Sequence, residues 1–117
     1  MFVRYFFLNG SLNQIVVDVS DKLDTDLVSG SCAYVKYGKI VIVYSTLSLK
    51  VACDNKLILP SGTLPPPYQY MYHSVNGWGA NVANSLFTVN SDGSMSFWCV
   101  EENLKCMVFD SFVYMAN

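Results

Sequence analysis

The chain has 117 residues, of which 52% are hydrophobic and 14% charged, with a formal net charge of -2. That length suits one domain with a real core and is short for two. The seven Lys and Arg are scattered rather than clustered, which argues against a nucleic-acid partner. An average soluble domain carries about 25% charged residues, so the apolar excess here calls for burial. No run reaches the ~18 uninterrupted apolar residues of a membrane span, because Arg4, Asn9, Asn13, Asp18, Lys36, Lys39 and Lys50 interrupt the candidates. No membrane insertion is expected, and the excess is assigned to contacts between subunits.

In chain order, "MFVRYFFLNGS" has one basic residue, Arg4, and a short aromatic apolar stretch followed by "NQIVVDV". It reads as folded strand rather than a secretion signal, with Met1 as the start of the mature chain. Residues 18–30, "DVSDKLDTDLVSG", place Asp18, Asp21, Asp24 and Asp26 close together. They lack the ligand spacing, central glycine and terminal glutamate of a calcium loop, so a solvated loop or one helical turn is expected. The rest of the chain is rich in Val, Ile, Tyr, Phe and Thr with period-two alternation. In "CAYVKYG" Ala33, Val35 and Tyr37 share a face, and "YGK" predicts a hairpin pivoting on Gly38 into "IVIVYSTLSLKV". There Leu47, Leu49 and Val51 are set against Thr46, Ser48 and Lys50. "CDNKLIL", "HSVN", "SLFTVN", "MSFWCVE" and "KCMVFDSFVYM" continue the strands, and Asp92-Gly93 predicts a second hairpin. The fold class is all-β: a single antiparallel β-sandwich, jelly-roll-like, of about eight strands over residues 1–117.

Catalytic chemistry finds little support in the residue inventory. The four cysteines, Cys32, Cys53, Cys99 and Cys106, form no C-x-x-C pair, and His73 is the one histidine, so no metal site and no cofactor are expected. Cys99 and Cys106 flank a turn at "EENL" and a disulfide between them is conceivable. Burial as small hydrophobes in a reducing compartment is the better reading. Nucleophilic catalysis would need a Cys or Ser beside His73 with an orienting carboxylate. No G-x-S-x-G or phosphate-binding loop is present, and Asp110 stands alone in its strand. The chain is read as non-enzymatic, with no catalytic residues; a small Cys/Ser-His hydrolase is the weakest alternative.

Residues 61–79, "SGTLPPPYQYMYHSVNGWG", concentrate the candidate binding residues. Pro65, Pro66 and Pro67 remove three backbone donors and favour an extended edge or a connection between sheets. After them Tyr68, Tyr70 and Tyr72 fall on one face of a strand, with Gln69, Met71 and His73 on the other. A tyrosine row offers rigid area with polar tips, suited to a sugar or a protein partner. Aromatic stripes more often serve cores, so burial within the sandwich or between subunits is the first expectation for the row, with ligand binding the second. Gly77 and Gly79 around Trp78 read as a flexible loop presenting an aromatic, and Trp78 is the leading single ligand candidate, with Tyr68, Tyr70, Tyr72 and His73 beside it.

Taken in order, the hairpin "VKYGKIVIV" (35–43), the entry at Leu64, Pro65 and Tyr68, and the turn "TVNSDGS" (88–94) carry a family likeness over residues 31–117. This pattern resembles the C-terminal β-sandwich, receptor-binding domains of siphophage tail fibres and baseplate proteins. "PPPYQY" stands where the family has Gly-Tyr-Arg-Pro, and residues 1–30 lie outside the likeness. Either the chain is a fragment or a small standalone accessory protein, or these residues form an extra strand pair that docks on a neighbour. The resemblance implies a non-catalytic homotrimer in the virion tail, made in the host cytoplasm, contacting other tail proteins and a host-surface saccharide or protein. A cellular carbohydrate-binding or protein-interaction β-sandwich is the alternative.

Overall fold

The β-branched and aromatic runs become strands wherever alternate residues can be buried. The computed structural model describes residues 2–8, 12–51, 53–75, 77–78, 85–99 and 107–117, with backbone alone for 2–8, 12–13 and 77–78. The described residues form ten strands: β1 (Phe2–Leu8), β2 (Leu12–Asp18), β3 (Val28–Tyr37), β4 (Ile40–Leu49), β5 (Cys53–Leu59), β6 (Met71–Ser74), β7 (Gly77–Trp78), β8 (Leu86–Val89), β9 (Met95–Cys99) and β10 (Met107–Met115). Two antiparallel sheets result, one of six strands in the order β1-β2-β3-β4-β10-β7 and one of four in the order β5-β9-β8-β6. The expected all-β sandwich is what the chain forms.

Strict alternation makes the core. In β10, Val108, Asp110, Phe112 and Tyr114 are buried while Phe109, Ser111, Val113 and Met115 are exposed. Val41, Val43, Leu47 and Leu49 of β4 join the same core, and Phe87, Val89, Met95 and Phe97 meet them from the four-stranded sheet. Phe87 sits 5.1 Å from Phe97 in its own sheet and 6.0 Å from Phe112 in the other. Burying each such side chain stabilises the fold by about 1.5–3 kcal/mol. The alternation expected for residues 46–51 holds through Leu49, where β4 ends; Val51 lies past it and is exposed.

Both expected hairpins form. Tyr37 pairs with Ile40 across Gly38 and Lys39, and Val89 pairs with Met95 across residues 90–94. Within that second loop the Gly93 N–H donates to the Asn90 carbonyl at 2.9 Å, and Asp92 Oδ1 accepts from the backbone and hydroxyl of Ser94 at 2.9 and 2.6 Å. The Asp-rich stretch becomes a 3₁₀ turn at Ser20–Lys22 followed by further turns, as its solvated composition requires. Ahead of it, β1 and β2 form an antiparallel pair that extends the six-stranded sheet of their own chain through β3. Only Ile15–Asp18 of β2 pair with β3, so the half of this hairpin nearest its turn has no β3 partner among the described residues.

The outward face of the six-stranded sheet is unusually apolar. Register places Val113, Ile42, Val35 and Val16 in one cross-strand row and Met115, Ile40 and Tyr37 in the next. Val113, Met115 and Ile40 are 59%, 54% and 45% exposed, while Val16, Ile42 and Tyr37 are half-buried and Val35 is buried. The face that Ala33, Val35 and Tyr37 were expected to share is this outer one.

Candidate recognition surface

The segment from Pro60 to Ser74 crosses one end of the sandwich, joining β5 and β6 at opposite edges of the four-stranded sheet. Its first part is held by the β8–β9 turn: the N–H of Gly62 donates to the Asp92 carbonyl and that of Leu64 to the Gly93 carbonyl, each at 2.9 Å. Leu64 is buried. The prolines follow as a connection between sheets, since they cannot donate to a ladder. They serve as acceptors instead. Tyr114 Oη donates to the Pro65 carbonyl at 2.7 Å, and the Asn117 N–H donates to the Pro66 carbonyl at 2.8 Å. Burial raises the Tyr114 phenol above its usual range, which keeps it a donor. A bridge between Pro67 and Ala116 and a 2.8 Å bond from the Tyr68 N–H to the Met115 carbonyl complete the anchorage to the end of β10.

The tyrosines then emerge. Tyr68, Tyr70 and Tyr72 are 73%, 59% and 63% exposed, so the row does not pack inside the sandwich. The expectation of burial there fails because Tyr68 and Gln69 form a bend and the strand begins only at Met71. A bend at the molecule's end has no facing sheet to cover it. The rings of Tyr70 and Tyr72 meet edge to face at 5.7 Å, a favoured aromatic geometry. Donation by the Tyr72 hydroxyl to Tyr70 raises the Tyr72 phenol. Two shallow cavities flank this pair. One of about 580 Å³ lies toward Pro67, Tyr68 and Gln69, and one of about 240 Å³ lies toward Asn55, Thr88 and Asn90. Both touch Ser91, so the pair is framed by amides and hydroxyls from the β8–β9 turn.

His73 points the other way. Its Nε2 lies 2.8 Å from Asp110 Oδ2 of the opposite sheet, with side-chain exposures of 24% and 0%. Its ring stacks on Phe112 with centroids 4.8 Å apart. The two side chains are in close polar contact across the sheets. His73 is therefore separated from the tyrosines and acts as a tie between sheets. Asp110, which stood alone in the sequence, is its partner. Trp78 backs a different correction: its backbone pairs with Met107 at the sheet edge in β7, so the position is strand rather than free loop. The Trp78 side chain lies outside the described residues.

The sequence pattern did not bring Asn55, Asn90 and Ser91 to the tyrosines, because β5 and β8 reach β6 only through the pairing of the four-stranded sheet. Among cysteines, Cys32, Cys53 and Cys99 are free and buried, and Cys53 faces Cys99 directly across β5 and β9. Cys106 lies outside the described residues, and with it the conceivable Cys99–Cys106 bridge. Burial first, and Asp18 second, push the Cys32 thiol up to about 12. The reactive thiolate form of Cys32 is then scarce at pH 8. Iodoacetamide is expected to leave Cys32 unmodified in the native protein and to label it rapidly in denaturant, as read by peptide mass spectrometry. Among the described residues no group of three or more His, Cys, Asp or Glu could hold a metal ion, and no helix is long and apolar enough to cross a membrane. Comparison with protein-family models, curated proteins and solved structures gives no match for this chain.

Proposed function

We propose that this chain is a non-catalytic recognition domain that binds a host-surface saccharide or protein through Tyr68, Tyr70 and Tyr72, as part of a phage tail fibre or baseplate. One observation carries the reading: three large aromatic side chains with polar tips stand exposed at one end of a rigid sandwich, beside cavities framed by amides and hydroxyls. Aromatics held in place lose little conformational entropy on binding, which is why such clusters suit recognition. Support for the tail-protein part comes from the resemblance carried by residues 35–43, by Leu64, Pro65 and Tyr68, and by residues 88–94, the last two of which are joined by the Leu64 N–H donating to the Gly93 carbonyl. The exposed apolar rows on the six-stranded sheet support self-association, because contiguous patches of this kind mark interaction surfaces. We assign them to a homotrimer.

The test is binding of the labelled protein to host cells or a glycan array, compared with a Tyr68→Ala, Tyr70→Ala, Tyr72→Ala variant. Binding is expected to fall at least about tenfold while stability changes by less than about 1.5 kcal/mol, since exposed sites contribute within about 0.5 kcal/mol each. Undiminished binding by the triple variant removes the tyrosines from the reading. Light scattering at several concentrations is expected to give a mass near three times 13.1 kDa. A strict monomer would favour the cellular binding-module alternative and leave the apolar rows without a role.

A further inference from the structure

The outer face of the six-stranded sheet changes character beyond its apolar rows. In the next row the register sets Ser111, Tyr44, Ala33 and Asp18 side by side, and in the one after it Phe109, Thr46 and Ser31. Small side chains beside two rings that are diagonal neighbours on β4 and β10 line a groove of about 570 Å³. Tyr44 and Phe109, 47% and 46% exposed, stand as its walls. Asp18 closes the far side, its Oδ1 accepting the Ser20 N–H at 2.9 Å.

We propose that this groove is a ligand site for a neutral saccharide, one hexose-sized ring deep, distinct from the tyrosine surface on the other sheet. The volume lies within the range of small-molecule sites. The rings supply flat apolar area for the C–H face of a sugar, and the exposed hydroxyls of Ser31, Thr46 and Ser111 can each donate and accept. Asp18 adds an acceptor. Hydrogen bonds from Ser20 hold its carboxyl below the usual range, so it is ionised at neutral pH and accepts sugar hydroxyls. None of the lining residues is basic, so an anionic sugar would meet a carboxylate with no compensating charge. A quaternary ammonium would use the rings and Asp18 but leave the row of hydroxyls without a role. The site goes beyond the proposed recognition surface and does not depend on it.

The experiment is a titration of ¹⁵N-labelled protein with the methyl glycosides of glucose, galactose, mannose and N-acetylglucosamine, alongside methyl glucuronide and tetramethylammonium. At least one neutral glycoside is expected to give saturable amide shifts at Ser31, Thr46 and Ser111, with a dissociation constant on the order of 1 mM. Tyr44→Ala and Phe109→Ala are each expected to weaken it about tenfold, whereas Tyr70→Ala leaves it unchanged. The half-exposed positions of Tyr44 and Phe109 make both variants foldable, which the same spectra verify. No saturable shift from any neutral glycoside overturns the proposal. So do shifts that move to Tyr70 and Tyr72, or a response confined to glucuronide or tetramethylammonium. Loss of the tyrosine-surface binding with this titration intact would sink the functional reading alone.

Discussion

His73→Ala is expected to destabilise the fold by about 3–5 kcal/mol, because it removes a large side chain packed between the sheets and strips one partner from the buried Asp110 side chain. Asp110 has a side-chain exposure of 0% and sits 2.8 Å from His73 Nε2. The same substitution removes the ring stacked on Phe112 at 4.8 Å, and with it packing between the sheets. For a domain of this size the fall in Tm is roughly 10–20 °C. A partner variant separates the polar contact from packing. Replacing both residues, as His73→Leu with Asp110→Leu, removes the buried polar group along with its partner and fills the space with apolar atoms, and is expected to recover most of the loss. Thermal unfolding of the two variants beside the parent decides the matter. A His73→Ala change below about 0.5 kcal/mol would mean that the tie between β6 and β10 contributes nothing. The tie also fixes the strand that carries Tyr72, so binding through the tyrosines is expected to weaken before the protein unfolds.

The fold was legible because the strands obey period two with few exceptions. Val108 to Ala116 alternate between core and surface without a break, and the two hairpins announce themselves by Gly38 and by Asp92-Gly93. What period two cannot give is the pairing of distant segments. Asp110 and His73 lie 37 positions apart, in different sheets, and nothing local marks either as the other's partner. For the same reason alternation points the aromatic row to burial within the sandwich or between subunits, and not to the surface it occupies. Alternation correctly opposed Tyr72 to His73, but it did not show that Pro67 is pinned to Ala116 and turns Tyr68 and Tyr70 out past the end of the sheet. The outer-face groove was equally hidden, since Tyr44, Phe109 and Asp18 become neighbours only through the register of β2, β3, β4 and β10. Periodicity reports which residues share a face of one strand; sites arise from rows across strands.

Gly93→Ala is expected to cost more than about 3 kcal/mol, and its contrast with Gly62→Ala shows why. Both glycines have φ of 80°, where an L side chain pays roughly 1–2 kcal/mol. At Gly62 a Cβ would meet nothing within 4 Å, so that backbone term is the whole effect. At Gly93 the added carbon would lie 2.3 Å from the Leu64 carbonyl oxygen. That oxygen is backbone, and it belongs to the residue whose N–H donates to the Gly93 carbonyl at 2.9 Å. The clash can be relieved only by lifting residues 61–64 off the turn, which breaks that bond, exposes the buried Leu64 and frees the segment that leads to the tyrosines. Denaturant unfolding measures the stability difference, and the cell or glycan binding assay measures its consequence. Gly62→Ala is expected to bind as the parent does, and Gly93→Ala to lose binding even under conditions where it stays folded. Equal effects of the two substitutions would mean that the turn and the proline segment are not coupled. The tyrosine surface would then owe its position to β6 and to the anchorage of residues 65–68 on the end of β10.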